Sequence, residues 1–183
     1  DLDNHGDGDG ADELAELESR DTGKPRKQSN VDATIAARYF EFYSGAADKL
    51  HGDTLPFLSD YQVLTLREPL GVTGHIIPWN YPLQMGARTL GATLAAGNTL
   101  VLKPAEEACL SVMRLTELAL EAGIPADVVN IVTGYGEEAG AALAGHPGID
   151  HVSFTGSPEV GTLVQQAAAV HNVGCTMELG GKS

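Results

Sequence analysis

Basic residues are scarce in this 183-residue chain: 11 lysines and arginines stand against 25 acids, for a formal charge of −14. Such a balance excludes nucleic acid or an anionic membrane surface as the natural partner, because both are held by clustered cations. Cysteine is almost missing. Cys109 and Cys175 lie far apart with no CxxC or Cys/His spacing around them, so neither a disulfide framework nor a metal site is expected, and a cytoplasmic location fits best. No apolar run approaches the ~20 residues that cross a bilayer. The acidic start also lacks the basic segment and hydrophobic stretch of an export signal, so the chain reads as soluble and unexported.

What the chain has in quantity is apolar mass, 43% of its residues, enough for one packed domain with a small appendage. Its charge is uneven. Residues 1–21 hold nine acids and one base, contributing −8 of the −14. Two readings stay open: a solvated acidic surface of the halophilic kind, or a local acidic tail on an ordinary domain. Residues 1–12 partly fit a calcium loop, with carboxylates at places one, three, nine and twelve and glycine at six. His5 occupies a liganding place, however, and Asp12 stands where the longer glutamate belongs, so a disordered acidic leader is the expectation.

Residues 13–70 read as amino-terminal helices and a bridging strand. Glu13 to Ser19 has helical propensity, and Thr22-Gly23-Lys24-Pro25 stops it. Val31 to Ala47 spaces Ile35, Ala36, Tyr39, Phe40 and Tyr43 as one helix face, with Asn30 or Asp32 as its expected cap. Gln62 to Arg67 alternates as a half-buried strand before the break at Glu68-Pro69-Leu70-Gly71.

Residues 71–183 then alternate regularly: strands at 72–77, 99–103, 128–132, 151–154 and 175–179, helices at 83–96, 111–122, 137–144 and 159–170. Five short β-branched runs joined through four helices require crossover connections. The predicted fold is therefore α/β, a doubly wound five-stranded parallel sheet of the Rossmann type, covered on both faces and preceded by helices and a partial oligomerisation strand. Ligands of such sheets sit beyond the carboxyl ends of the strands.

Several motifs occupy those ends. Gly134-Tyr135-Gly136-Glu137-Glu138-Ala139-Gly140 follows a strand, yet it is one residue too long for a dinucleotide fingerprint and puts two acids where phosphate would meet a helix start. Phe154-Thr155-Gly156-Ser157-Pro158-Glu159-Val160-Gly161 is better suited: Gly156 permits close approach, Ser157 caps, and Pro158 opens the helix. Lys103 and Glu106 offer a donor and an acceptor to a ribose, or form a plain ion pair at a helix start. Asn80, between Pro78-Trp79 and Tyr81-Pro82, is rigidly placed; as residue chemistry alone it is either an Asx-turn former or a donor to a developing oxyanion. Glu178 closes an apolar strand, where burial would favour its neutral form and suit it as a general base; the alternative is a carboxylate held by the amides of Gly180 and Gly181.

Taken together, Pro78-Trp79-Asn80-Tyr81-Pro82, Lys103-Pro104-Ala105-Glu106, Phe154-Thr155-Gly156-Ser157 and Glu178-Leu179-Gly180-Gly181-Lys182-Ser183 resemble the aldehyde dehydrogenase superfamily across nearly the whole chain. The resemblance implies that Gly156, Ser157 and Val160 meet the cofactor pyrophosphate and that Gly136 lies beside the adenine. It further implies that Lys103 and Glu106 bind the adenosine ribose, favouring NAD over NADP. Pro78, Trp79, Leu179 and Gly180 are implied to complete the cofactor site, with Asn80 as the oxyanion-hole donor and Glu178 as the base that activates water.

The family's reaction also needs a cysteine thiolate that attacks the aldehyde, forming a thiohemiacetal, then a thioester. Neither Cys109 nor Cys175 has the family's surroundings for that residue, and its motif is expected a few tens of residues beyond Ser183. By itself, then, this chain is expected not to oxidise an aldehyde, and a non-catalytic dinucleotide-binding or assembly module is the alternative. A relative that transfers acyl groups to phosphate or a thiol would have little use for Glu178. The full-length protein is expected to be a homo-oligomer.

Overall fold

The computed structural model describes residues 9–180. Most of the calcium-type loop, the acidic leader up to residue 8 and the closing residues 181–183 fall outside that range. Two helices come first, α1 (Asp9–Thr22) and α2 (Arg26–Ala46), joined by the turn at Gly23, whose φ of 74° suits glycine. Residues 9–12, expected in the leader, already belong to α1.

Helix α2 starts earlier than the sequence predicts. Pro25 is its N-cap and the first turn is Arg26 to Ser29, so Asn30 and Asp32 lie within the helix rather than capping it. The reason is positional: Ser29, Asp32, Ala33 and Ala36 make the buried face, and Asp32 has partners there that a surface cap would not need. Tyr39 and Phe40 pack against the core of Leu14, Ala15, Ala33, Ala36 and Leu83 as expected, whereas Phe42 stays 68% exposed.

A two-stranded antiparallel ribbon follows, β1 (Thr54–Leu55) with β2 (Val63–Leu64). The bridging strand is thus shorter than residues 62–67, and it alternates in the unexpected sense: Val63 and Thr65 are half-buried while Leu64 and Leu66 face outward. A lone ribbon has no third strand or helix to cover that face.

The sheet itself holds β3 (Val72–Ile76), β4 (Thr99–Lys103), β5 (Val129–Ile131), β6 (His151–Gly156) and β7 (Gly174–Leu179), in the order β5-β4-β3-β6-β7. All four pairings are parallel, as the crossovers demand. Between the strands run α3 (Pro82–Ala95), α4 (Leu110–Glu121), the short α5 (Ala141–Ala144) and α6 (Pro158–Ala169). Leu90 of α3 and Val112 of α4 pack with Leu100, Leu102 and Val129 on one face; Leu143 of α5 and Val164 of α6 pack with Val152 and Phe154 on the other.

Strand order reverses between β3 and β6, so the crevice at their carboxyl ends is the natural ligand position. The cover over β7 is one-sided. Cys175, Met177 and Leu179 pack against the cluster containing α6, while Gly174, Thr176 and Glu178 alternate onto an exposed face. Among the described residues this sheet is therefore not covered on both faces along its whole width.

Candidate functional site

Lys103 ends β4 with its side chain 2% exposed, and its ammonium donates to the Glu106 carboxylate at 2.6 Å. That hydrogen bond holds the Glu106 carboxyl below the usual carboxylate range, aided by Glu106's own backbone amide and that of Gly136. Pro104, buried behind the pair, fixes the turn. The result is an ionised acceptor at the mouth of the β3–β6 crevice.

Beyond it lies a cavity of about 420 Å³ lined by Ile76, Glu106, Gly136, Phe154, Val160 and Val164 among others. Its walls are α5 and α6, and its floor is the sheet. The stretch Gly136–Gly140, predicted as the start of an α-helix, is a π-type turn instead, with the amides of Glu138, Ala139 and Gly140 all directed at the Tyr135 carbonyl. Glu137 and Glu138 are exposed there, so their charges are solvated.

On the opposite lip, Ser157 caps α6: its hydroxyl accepts the Val160 amide at 3.3 Å, and Pro158 takes the first helical position. Gly156 precedes it because nothing larger fits; a Cβ there would stand 2.5 Å from the Phe154 ring. Leu179 lies over α6 at Gly161, where a Cβ would come within 2.4 Å of it, and the Gly180 amide donates to the Gly156 carbonyl at 3.3 Å.

The structure therefore gathers Glu106, Gly136 and Val160 about one cavity, with Lys103 bonded to Glu106, and sets Gly156, Ser157, Leu179 and Gly180 about the start of α6. Pro78, Trp79 and Asn80 stand apart, after β3; Trp79 is 57% exposed and Asn80 is exposed as well. Glu178 is two strands from β3, roughly 10 Å at ordinary strand spacing. It is exposed, so the burial expected for it is not supplied by the described residues. The physical reason is that β7 is an edge strand and Glu178 lies on its uncovered face.

Both cysteines have thiols raised above their ordinary value, Cys109 by burial and by the nearby Asp21, and Cys175 by burial. Both shifts disfavour the ionised form that a thiol nucleophile requires.

One cluster was invisible in the sequence. Helices α3 and α4 begin at Tyr81 and Cys109, neither of which caps with its side chain. Helix α1 supplies the missing acceptors: Glu18 accepts the Leu83 amide at 3.3 Å and the Ser111 hydroxyl at 2.5 Å, and Asp21 accepts the Leu110 amide at 2.7 Å. Glu18 and Asp32 are both 0% exposed. Lys24 bridges them, at 3.0 and 2.6 Å, while Gln28 and Gln84 donate to Asp32 at 2.9 and 2.7 Å. Burial alone would lower the Lys24 ammonium, but its hydrogen bonds to Asp32 and Glu18 outweigh that and raise it. The one available signal was Glu18 itself, an acid four residues after Leu14 on an apolar helix face.

Fold and crevice together define a doubly wound α/β chain with a cavity at the strand-order switch. The model of the aldehyde dehydrogenase family matches residues 9–183, and the chain belongs to that family. It is 51% identical over 175 residues to aldehyde dehydrogenase family 2 member B4 of Arabidopsis thaliana, a match covering 94% of this chain and 32% of that one. A provisionally assigned aldehyde dehydrogenase from Burkholderia cenocepacia superposes with a TM-score of 0.94 at 68% identity, over 96% of this chain and 37% of its own. A point mutant of betaine aldehyde dehydrogenase from Staphylococcus aureus, solved in complex with NAD+, gives 0.90 at 37% identity over 93% and 35%. The chain thus spans about a third of the length of the curated relatives it matches.

Proposed function

We propose that this chain is the cofactor-binding part of an NAD-dependent enzyme that oxidises an aldehyde to a carboxylic acid. The observation that carries the reading is the Lys103–Glu106–Gly136 arrangement at the mouth of the 420 Å³ cavity. An ionised carboxylate held by a buried lysine suits a ribose diol, whose hydroxyls donate to Glu106, and repels a 2′-phosphate. The apolar cavity between α5 and α6 suits an adenine ring, and the capped start of α6 beside the side-chain-free Gly156 suits a pyrophosphate. NAD+, when bound, supplies the acceptor for the electrons that leave the aldehyde carbon.

The remaining roles fall to residues along the carboxyl edge. The Asn80 amide donates to the aldehyde oxygen as negative charge develops on it, an interaction of roughly 3 kcal/mol in comparable sites. Glu178 removes a proton from the water that releases the acid product; its environment is completed by segments other than residues 9–180. Neither Cys109 nor Cys175 is assigned the thiolate nucleophile's role, and the chain by itself is proposed to bind cofactor without turning over aldehyde. A homo-oligomeric assembly and a reducing cytoplasmic compartment complete the proposal, the latter supported by two unpaired cysteines.

Calorimetric titration of NAD+ and NADP+ into the 183-residue chain tests the reading. Saturable NAD+ binding, weakened at least tenfold by Glu106→Ala and absent for NADP+, is the expected result. Equal binding of both dinucleotides, or NAD+ binding unaffected by that substitution, would overturn it.

A further inference from the structure

Asn80 can serve as an oxyanion donor only if its loop is held still, yet its own neighbourhood is exposed: Trp79 is 57% and Tyr81 40% exposed, and the Tyr81 side chain makes no cap. Restraint comes from elsewhere. Of the four residues after Asn80, three are tied to the first helical pair. The Lys24 ammonium lies 4.4 Å from the centre of the Tyr81 ring, the Leu83 amide donates to Glu18, and the Gln84 amide donates to Asp32. Pro82, buried between them, cannot swing.

We infer that Glu18, Lys24 and Asp32 are positioning residues for the Asn80 loop. They act through Tyr81, Leu83 and Gln84 on a group they do not touch, and the inference rests on the reading of Asn80 given above.

The arrangement is demanding to build for stability alone. Two carboxylates and an ammonium are withdrawn from water, with Ser111, Gln28 and Gln84 needed to satisfy the oxygens that remain. Apolar side chains could have filled the α1–α2–α3 junction, as Leu14, Ala15 and Ala36 do beside it. They could not have received the free Leu83 amide or faced the Tyr81 ring with a cation. The polar residues thus sit where direction matters, at the root of the loop, and the cluster converges on α3's first turn.

Trp79, the single tryptophan of the chain, adjoins Asn80 and reports on the loop directly. Four chains serve for the test: wild type, Lys24→Arg, the charge-balanced pair Glu18→Gln with Lys24→Met, and Gln84→Ala. The last cuts one tie while leaving Asp32 paired to Lys24 and Gln28. Far-UV circular dichroism establishes that each is folded; acrylamide quenching and anisotropy of Trp79 are then read in buffer without denaturant. At least a twofold rise in quenching is expected for the paired variant, a smaller rise for Gln84→Ala, and near wild-type behaviour for Lys24→Arg, which keeps the cation. A cluster that only stabilises would shift the denaturation midpoint and leave native Trp79 unchanged; that result in Gln84→Ala and in any folded paired variant overturns the inference. Should the paired variant fail to fold, Gln84→Ala decides alone. Because nothing here depends on turnover, a failure of Asn80 as oxyanion donor would show separately, as unchanged loop mobility with unchanged chemistry on Asn80→Ala in an enzyme containing the nucleophile.

Discussion

The Asp21 carboxylate accepts the backbone amide of Leu110 at 2.7 Å across 89 residues of sequence. Helix α4 therefore has its first orphan donor satisfied from another helix, because Cys109 at its N-cap has no side-chain oxygen to offer. Asp21→Ala is expected to cost about 1 kcal/mol, as for an ordinary cap. Glu18→Ala, which strands the Leu83 amide and the Ser111 hydroxyl and leaves Lys24 with Asp32 alone, is expected to cost about 3 kcal/mol. Urea unfolding of the two variants gives the ratio; equal losses would contradict the picture.

His75 provides a prediction in pH. Burial, with a smaller contribution from His151, lowers its imidazole to about 4, and its Nε2 lies 2.8 Å from the Thr73 hydroxyl. An unfolded chain would protonate the same residue near its ordinary value of about 6.5. Between those values the unfolded state binds more protons, so stability falls as pH drops from about 6.5 toward 4, by at most roughly 3 kcal/mol for this group. Unfolding free energies measured across that window should flatten on the acid side in His75→Gln.

Gly156→Ala tests the lip of the cavity. Its added methyl would meet the Phe154 ring at 2.5 Å, so the ring must turn toward the cavity it now floors. Overpacking of this sort costs typically 1–3 kcal/mol. NAD+ affinity should fall at least tenfold, by calorimetry, with the larger part of the loss surviving at temperatures where the variant is fully folded.

Lys103→Met separates stability from binding. The methionine fills the buried stem's space, and Glu106, freed of its partner, remains largely solvated, so the stability change should stay near 1 kcal/mol. Its carboxyl should move back up toward the ordinary range, because the lysine hydrogen bond that lowers it is gone. Carbon-detected NMR of that carboxyl, alongside NAD+ titration, measures both effects; unchanged binding would detach the ion pair from the ribose role.

The sheet was legible because each of its strands is a short β-branched run bounded by turn residues, and the parallel pairing then follows from helices between strands. Loops at strand ends were legible for the same reason. What periodicity misjudged were residues whose partners are far away in sequence. Asn30 or Asp32 reads as a cap, yet Asp32 is fully buried within the helix, because the charge of Lys24 and the amide of Gln84 await it inside. Glu178 reads as buried from the run before it, but burial depends on a cover that no strand pattern specifies. The π-type turn at Gly136 was hidden for a third reason, since propensity distinguishes helix from loop and not one helical pitch from another.

The caps that α1 lends to α3 and α4 also set a schedule for biosynthesis. Asp21 leaves the ribosome long before Leu110 exists, and at ~5–20 residues per second the 89-residue interval lasts roughly 4–18 s. Until Leu83 and Gln84, and later Ser111, have been added, Glu18 and Asp32 have only Lys24 and Gln28 to bind, so the first helical pair is a nascent segment whose charges keep it in water until the sheet arrives to collect it.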